Sequence, residues 1–539
     1  MITLQGKGVS RGIAAGRIVF FERSNFVVEK KAVTDTAGEI ERFRAASLTA
    51  AAQLDDLASA MADKVGKENA LLFEIHRMML SDTDFTDPIE KLIESQRVCA
   101  EYAVTEAGGR LAQDFAEMDD DYMKERAVDI RDVSHRVIAI LSGTQRDVTA
   151  GPEPVILASD DFTPSETAQF DRSKVLALVS QAGAESSHTA IFARTMGIPA
   201  IIGLGASLSS GLANKEAALD GGTGTLYIEP DAATLAGLEE KKQRLAEENV
   251  LLEKFRGKPT LTKSGRKIKL YANIGSVADV EAALAGDAEG IGLFRSEFVY
   301  LERDDYPNED IQYESYRKVA EKMGGRQVII RTLDIGADKE AGYFGLPHED
   351  NPALGMRAIR ICLTRPELFK TQLRAIYRAS AFGNVAIMFP MISSVQELQR
   401  AKRIAEEARN ELAAANIAFN DKTPIGIMIE TPASVIISDL LAKEADFFSI
   451  GTNDLTQYTL AVDRQNASIS EFVDTHHEAI LRMIRMTTEN AHKAGIWCGI
   501  CGMLGADVSL TAAFMEMDLD ELSVEPSYIL QLRSRIAET

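Results

Sequence analysis

The chain has 539 residues, 45% hydrophobic and 26% charged, which is ordinary for a globular protein and too long for one core, so two to four domains are expected. Its net charge of −22 argues against nucleic acid and anionic membrane as partners and suits a basic protein partner. Cys99, Cys362, Cys498 and Cys501 are too few for a disulfide framework. There is no apolar run of about 18 residues, and Met1-Ile-Thr-Leu-Gln-Gly is not a basic-then-apolar leader, so a cytoplasmic protein without membrane insertion is expected.

Residues 2–22 alternate in the strand manner around Gly-rich turns. From Thr36 to about Ser142 Pro and Gly are scarce. Apolar residues there recur at three and four, at Ile40 and Phe43 and then at Leu54, Leu57, Met61 and Val65, which predicts a helical subdomain of two hairpins. Thr36 with Glu39 reads as a capping box at its start. After Gly151, short β-runs at 155–158, 175–179, 198–202 and 225–228 predict a small α/β domain.

His188 lies between the second and third of those runs, on a Gly/Ser loop opening a short helix within Gln181 to Gly203. Free N–H groups and the positive helix end hold an anion there and keep the imidazole neutral, as a phosphoryl-carrying nucleophile requires. A lone histidine at a helix start is more often structural, so the rest of the chain must decide. Residues 231–256, rich in Ala, Leu, Glu and Lys, read as a long connecting helix.

From Gly265 eight apolar runs alternate with helical patterns, at 268–274, 290–294, 328–332, 385–389, 425–429, 447–450, 496–500 and 521–524. This predicts a (β/α)₈ barrel. Arg295, Arg331 with Asp334, Glu430, Asn453 with Asp454, and Cys501 fall at or after strand ends, where the barrel mouth gathers them. Glu430 and Asp454 offer hard oxygen ligands for Mg²⁺. Arg295, Arg331 and Arg464 can neutralise a phosphate, and phosphoryl transfer asks mainly for positioning and charge neutralisation. Any one arginine is as well explained by a surface ion pair, but the set is not. Cys498-Gly-Ile-Cys501 has redox or zinc spacing without a second pair. A thiol at Cys501 facing the mouth suggests proton transfer to carbon or nucleophilic attack.

The chain resembles Enzyme I, the phosphoenolpyruvate–protein phosphotransferase of the bacterial sugar phosphotransferase system, over essentially its whole length. The blocks that carry the resemblance are Gly8-Val-Ser-Arg-Gly-Ile-Ala, Thr163-Pro-Ser-Glu-Thr-Ala-Gln, Ser187-His188-Thr-Ala-Ile-Phe-Ala-Arg and Gly292-Leu-Phe-Arg295-Ser-Glu-Phe. Further along come Arg331-Thr-Leu-Asp-Ile-Gly, Asn351-Pro-Ala-Leu-Gly-Met-Arg, Ile427-Met-Ile-Glu430-Thr-Pro and Gly451-Thr-Asn-Asp454-Leu-Thr-Gln-Tyr.

The resemblance implies autophosphorylation of His188 by phosphoenolpyruvate, release of pyruvate, and transfer to a histidine of the phosphocarrier HPr. It implies phosphoenolpyruvate binding by Arg295, Arg331, Asn453, Asp454 and Arg464, and Mg²⁺ held by Glu430 and Asp454. Cys501 is implied as the acid that protonates the enolate carbon, and Thr167 as the residue orienting the nucleophile. The implied layout is a swivelling phosphohistidine α/β domain (1–22 and 144–230), a helical HPr-binding bundle (23–143), a linker helix (231–256), and a TIM barrel (257–539) that also makes the homodimer. Phe73, Met78, Met79 and Leu80 are the expected HPr contacts. Because His188 and the substrate site lie in different domains, hinges are expected near 143–152 and 229–256.

The chain departs from the family pattern at Met503, where an acid usually follows Cys501-Gly502, at Gly505-Ala506, and at His477-Glu478 in place of His-Pro. These departures leave room for a drifted or regulatory paralogue that senses carrier phosphorylation. An ATP-dependent dikinase or synthase would need a long ATP-binding domain, and a barrel lyase would not need His188.

Overall fold

In the computed structural model the chain forms two units, residues 1–248 and 249–539. All residues are described except 22–27, 66, 118–120, 144–152, 168–169, 171, 184–187, 302, 304, 337–341, 465, 467–468 and 470–471; for 59–65, 67–72, 121–125, 164–165, 188, 191 and 195 the backbone alone is described.

The first unit is built on eight strands, β1 (Ile2–Gln5), β2 (Lys7–Ser10), β3 (Ile13–Phe20), β4 (Val155–Ser159), β5 (Val175–Ser180), β6 (Ala200–Ile202), β7 (Glu216–Asp220) and β8 (Thr225–Ile228). Their order is β1-β8-β7-β3-β4-β5-β6-β2, with the stretch from β3 to β6 parallel. Gly6 alone separates β1 from β2, which lie at opposite ends of that order, so the sheet must curl until its edges meet. A Cβ on Gly6 would stand 2.6 Å from the Ile202 carbonyl oxygen, which is why glycine sits at the join.

Between β3 and β4 the chain inserts α1 (Thr36–Val65), α2 (Lys67–Met79), α3 (Thr83–Gln96), α4 (Ala100–Ala116) and α5 (Asp121–Leu141). These are five helices, not the four of two hairpins. The extra one, α3, is started by Asp82, whose side chain accepts from the Asp84 amide. The expected Thr36–Glu39 capping box is absent. The Asp35 carboxylate accepts from the Gly38 amide at 2.9 Å instead, and Glu39 accepts from the Ala100 amide at 2.7 Å, tying α1 to the start of α4. One apolar core runs from the bundle (Phe43, Ile89, Val104, Val137) into the sheet side (Phe162, Phe170, Phe192). The chain then continues through α6 (Pro164–Thr167), α7 (His188–Met196) and α8 (Ala232–Glu253), the last without a buried residue.

The second unit is a closed barrel of parallel strands, β9 (Lys269–Ile274), β10 (Ile291–Arg295), β11 (Val328–Arg331), β12 (Val385–Phe389), β13 (Ile425–Ile429), β14 (Phe447–Ile450), β15 (Trp497–Ile500) and β16 (Glu521–Val524). Closure leaves no edge strand, and the eight expected runs supply the staves in order. Leu293, Ile329, Ala386, Met388, Met428 and Phe447 pack the interior. At the N-terminal end Trp497 stacks on Phe447 with centroids 4.6 Å apart, and the Lys269 ammonium lies 4.7 Å over Trp497. That end is a floor, so the C-terminal end is where a site can open. Among the described residues no helix is long and apolar enough to cross a membrane.

Candidate active site at the barrel mouth

The ends of β10, β11, β13, β14 and β15, or the residues just beyond them, deliver polar side chains to one cleft of about 220 Å³ at the C-terminal end of the barrel. Arg295 closes β10 and Arg331 closes β11, while Glu430 follows β13 by one residue and Cys501 follows β15 by one. Asn453 and Asp454 occupy the first turn of the helix Thr452–Leu460 after β14. All six line the cleft together with Arg464, so the barrel brings the expected mouth residues into one place.

The floor of the cleft is a chain of buried ion pairs. Arg331 donates Nη2 to Glu297 Oε1 at 2.5 Å, and its Nη1 lies 2.9 Å from Asp334 Oδ2. Asp334 Oδ1 accepts from Arg357 Nη2 at 3.0 Å, and Arg357 Nη1 donates to Asp454 Oδ1 at 3.2 Å and to the Tyr458 hydroxyl at 2.9 Å. Arg464 stands further out, with Nη1 3.8 Å from Asp454 Oδ2. Burial works against both inner guanidinium charges, but the adjoining carboxylates outweigh it and hold Arg331 and Arg357 above the ordinary arginine value.

Glu430 is fully buried. Its Oε1 accepts from the Met391 amide at 2.6 Å, and its Oε2 lacks a hydrogen-bond partner among the described residues. Burial pushes its carboxyl up to about 8, with Asp454 and Asp334 adding and Arg331 and Arg357 opposing. An orphaned carboxylate oxygen aimed into a cleft suits a cation, which would supply the compensation that burial withholds. No group of three or more His, Cys, Asp or Glu able to hold a metal gathers among the described residues. Glu430 and Asp454 would therefore hold a metal together with oxygens from water and a substrate, the Mg²⁺ manner.

Cys501 is buried, and its Sγ donates to the Ile450 carbonyl at 3.7 Å. Burial pushes the thiol up to about 12, so at neutral pH it keeps its proton. Asn453 Oδ1 accepts from the Met503 amide at 3.0 Å, and the Thr452 hydroxyl accepts from the Leu504 amide at 3.4 Å; together they hold the loop that carries the thiol. Met503 itself is 79% exposed.

Arg357 and Glu297 were not anticipated from the sequence. Arg357 lies in the Asn351-Pro-Ala-Leu-Gly-Met-Arg block, away from any strand end, so its position gave no chemical cue. Two positive φ angles mark the same region, 50° at Ala358 beside Arg357 and 57° at Met391, the donor to Glu430. Non-glycine residues hold such angles where the surroundings impose them, often at functional sites.

In the first unit His188 opens α7 between β5 and β6, the carboxyl-end position of a βαβ crossover. Its side chain, and residues 184–187, lie outside the described residues, as do residues 144–152 of the expected first hinge. Thr189 donates to the Phe162 carbonyl at 3.1 Å. Thr163 donates to Asp132 Oδ1 of α5 at 3.1 Å, and with Glu166 it forms a reciprocal cap on α6, on which Thr167 is buried. The α7 start and the α6 loop are thus joined to each other and to the bundle. Of the expected bundle contacts, Phe73 at 3% exposure and Leu80 at 4% are core residues and cannot meet a partner; Met78 is 54% exposed and Met79 half-buried. The Phe73–Leu80 spacing marks the face that packs inward.

Three family models match the chain: PEP-utilising enzyme, N-terminal, over 5–126; PEP-utilising enzyme, mobile domain, over 151–224; and PEP-utilising enzyme, PEP-binding domain, over 249–539. The phosphoenolpyruvate-protein phosphotransferase of Bacillus subtilis (strain 168) is 40% identical over 100% of this chain and 95% of its own. That of Priestia megaterium is 40% identical over 99% of this chain and 94% of its own. An NMR solution structure of Enzyme I (nEIt) is 32% identical and covers 45% of this chain and 99% of that one, with a TM-score of 0.39.

Proposed function

The chain belongs to the phosphoenolpyruvate–protein phosphotransferase family, and from that premise we propose that it takes a phosphoryl group from phosphoenolpyruvate onto His188, releases pyruvate, and passes the group to a histidine of HPr. This is the first step of the sugar phosphotransferase system. The observation that carries the reading is the orphaned Glu430 oxygen set in a cleft with Arg295, Arg331 and Arg464, chemistry suited to a phosphorylated carboxylic acid.

Arg331 is fixed by Glu297 and Asp334, so it meets the substrate without reorganising, which is how charge stabilisation becomes catalytic. Arg295, Arg464 and Asn453 complete the grip. Glu430 and Asp454 would hold Mg²⁺, which when bound neutralises phosphate charge. The Cys501 thiol, kept protonated by burial, serves as acid to the enolate carbon in preference to nucleophilic attack. The α7 N-terminus favours neutral His188 before transfer and the anionic phosphohistidine after it, with Thr167 orienting the ring.

The bundle offers HPr its exposed face around Met78 and Met79, the barrel forms the homodimer, and the His188 domain swivels between the substrate cleft and HPr about hinges near 143–152 and 229–256. The test is incubation with ³²P-phosphoenolpyruvate and Mg²⁺, then addition of HPr. Acid-labile label on the wild type that chases onto HPr, with none on His188→Ala, is the expected result. A folded wild type that takes no label would favour a regulatory paralogue instead.

A further inference from the structure

Glu521, the first residue of β16, is fully buried inside the barrel, and neither carboxyl oxygen has a hydrogen-bond partner among the described residues. Leaving a carboxyl unpaired in an apolar interior is costly, so an acid in this position needs a reason. The barrel makes room for it. A Cβ on Gly292 would stand 2.2 Å from Glu521 Oε1, and one on Gly499 would stand 1.8 Å from Oε2; any side chain at either position would evict the carboxyl.

Its neighbourhood leads to Cys501. Gly499 pairs with Glu521 across β15 and β16, and Cys501, two residues beyond Gly499, faces the same side of its strand. The Ser523 hydroxyl lies 2.4 Å from that same Gly292 Cβ position, so it is a neighbour of Glu521 Oε1. Ser523 donates to Asn273 Oδ1 at 2.7 Å, and Asn273 Nδ2 donates to the Cys501 carbonyl at 3.2 Å. A polar file therefore runs from Ser523, beside Glu521, to the Cys501 carbonyl through an interior otherwise packed with Leu293, Met388, Met428 and Phe447.

We propose that Glu521 is a positioning residue for the proton chemistry of Cys501, holding the proton that reloads the thiol after each turnover. This rests on the reading of Cys501 as the acid. When the enolate is protonated, the Cys501 S–H bond breaks, a C–H bond forms on pyruvate, and a thiolate remains. The Glu521 O–H bond then breaks, the S–H bond reforms, and the carboxylate regains a proton from solvent.

The charged and titratable groups that interact with Glu521 are Lys269 and Tyr271 of β9, Asp520 beside it, Cys498 of β15 and Cys501 just beyond that strand. Burial pushes Glu521 up to about 8, with Lys269 opposing and Asp520 adding. With the thiol up to about 12, proton transfer from Glu521 to a thiolate runs downhill.

The experiment follows exchange of pyruvate methyl protons with D₂O by NMR, in a mixture of phosphoenolpyruvate, pyruvate and Mg²⁺, across pH 6–10. Wild-type exchange should decline above about pH 8 as the reservoir empties. Glu521→Gln should still take label from phosphoenolpyruvate, exchange at least about tenfold more slowly at neutral pH, and lose the limb near pH 8. Glu521→Asp, which keeps an acid, should keep a limb. A Gln variant with wild-type rate and limb overturns the proposal, as does an Asp variant without a limb. Cys501→Ala separates the two readings: if it exchanges like wild type, the acid assignment of Cys501 fails, whereas loss of exchange with a silent Glu521→Gln condemns Glu521 alone.

Discussion

Arg331 and Arg464 are both arginines of the cleft, yet their surroundings give them different work. Arg331 is buried between Glu297 and Asp334, and a lysine there could not satisfy both carboxylates. Arg331→Lys should therefore cost about 3 kcal/mol of stability in denaturant unfolding, because it strands a buried charge. Arg464 is exposed at the rim; Arg464→Lys should leave stability within about 0.5 kcal/mol and raise KM for phosphoenolpyruvate. Glu521 carries a pH signature. Its folded carboxyl ionises near about 8 and its unfolded one near about 4.3, so between those values the folded state holds the extra proton. Glu521's contribution to stability should then fall as pH rises through that window, by up to about 1.4 kcal/mol per unit, and Tm-against-pH curves of Glu521→Gln should be shallower there, with the slope from Glu430 remaining. The residues legible from the sequence, Arg295, Arg331, Glu430, Asp454 and Cys501, are those at or just past strand ends, where topology dictates convergence. Arg357 acts through contacts made across the barrel, which spacing along the chain does not encode; Glu297, two residues past β10, and Glu521 gain their meaning from neighbours, Arg331 for the first and the Gly292 and Gly499 notches for the second.

At the scale of elements, short polar devices decide where helices begin and which parts move together. Thr163 caps α6 with Glu166 and reaches Asp132 on α5, so one side chain joins the Thr167 segment to the bundle. Thr163→Ala should cost about 1–2 kcal/mol in thermal unfolding, and Thr163→Ser should recover most of it. The same Thr-x-x-Glu signal at Thr36–Glu39 misled, because Asp35 was a stronger cap one residue earlier and Glu39 found the Ala100 amide. The barrel strands were readable because each is a buried apolar run between helices. The bundle face was not, since an apolar stripe looks alike whether it packs inward, as Phe73 and Leu80 do, or meets a partner.

For the whole molecule, His188 belongs to one unit and the cleft to the other, while transfer demands that they meet. The helix α8, with no buried residue, is a connection able to reorient without breaking a core. Phosphoenolpyruvate with Mg²⁺ should narrow the interdomain distance distribution in solution scattering, and an unchanged distribution would count against swivelling. The most direct measurement is peptide mapping by tandem mass spectrometry, under conditions that preserve phosphohistidine, after incubation with phosphoenolpyruvate and Mg²⁺. A phosphoryl group on the peptide carrying His188, and none in the absence of phosphoenolpyruvate, is the expected result. A phosphoryl group elsewhere, or one acquired only from ATP, would contradict the assignment of His188 as the acceptor.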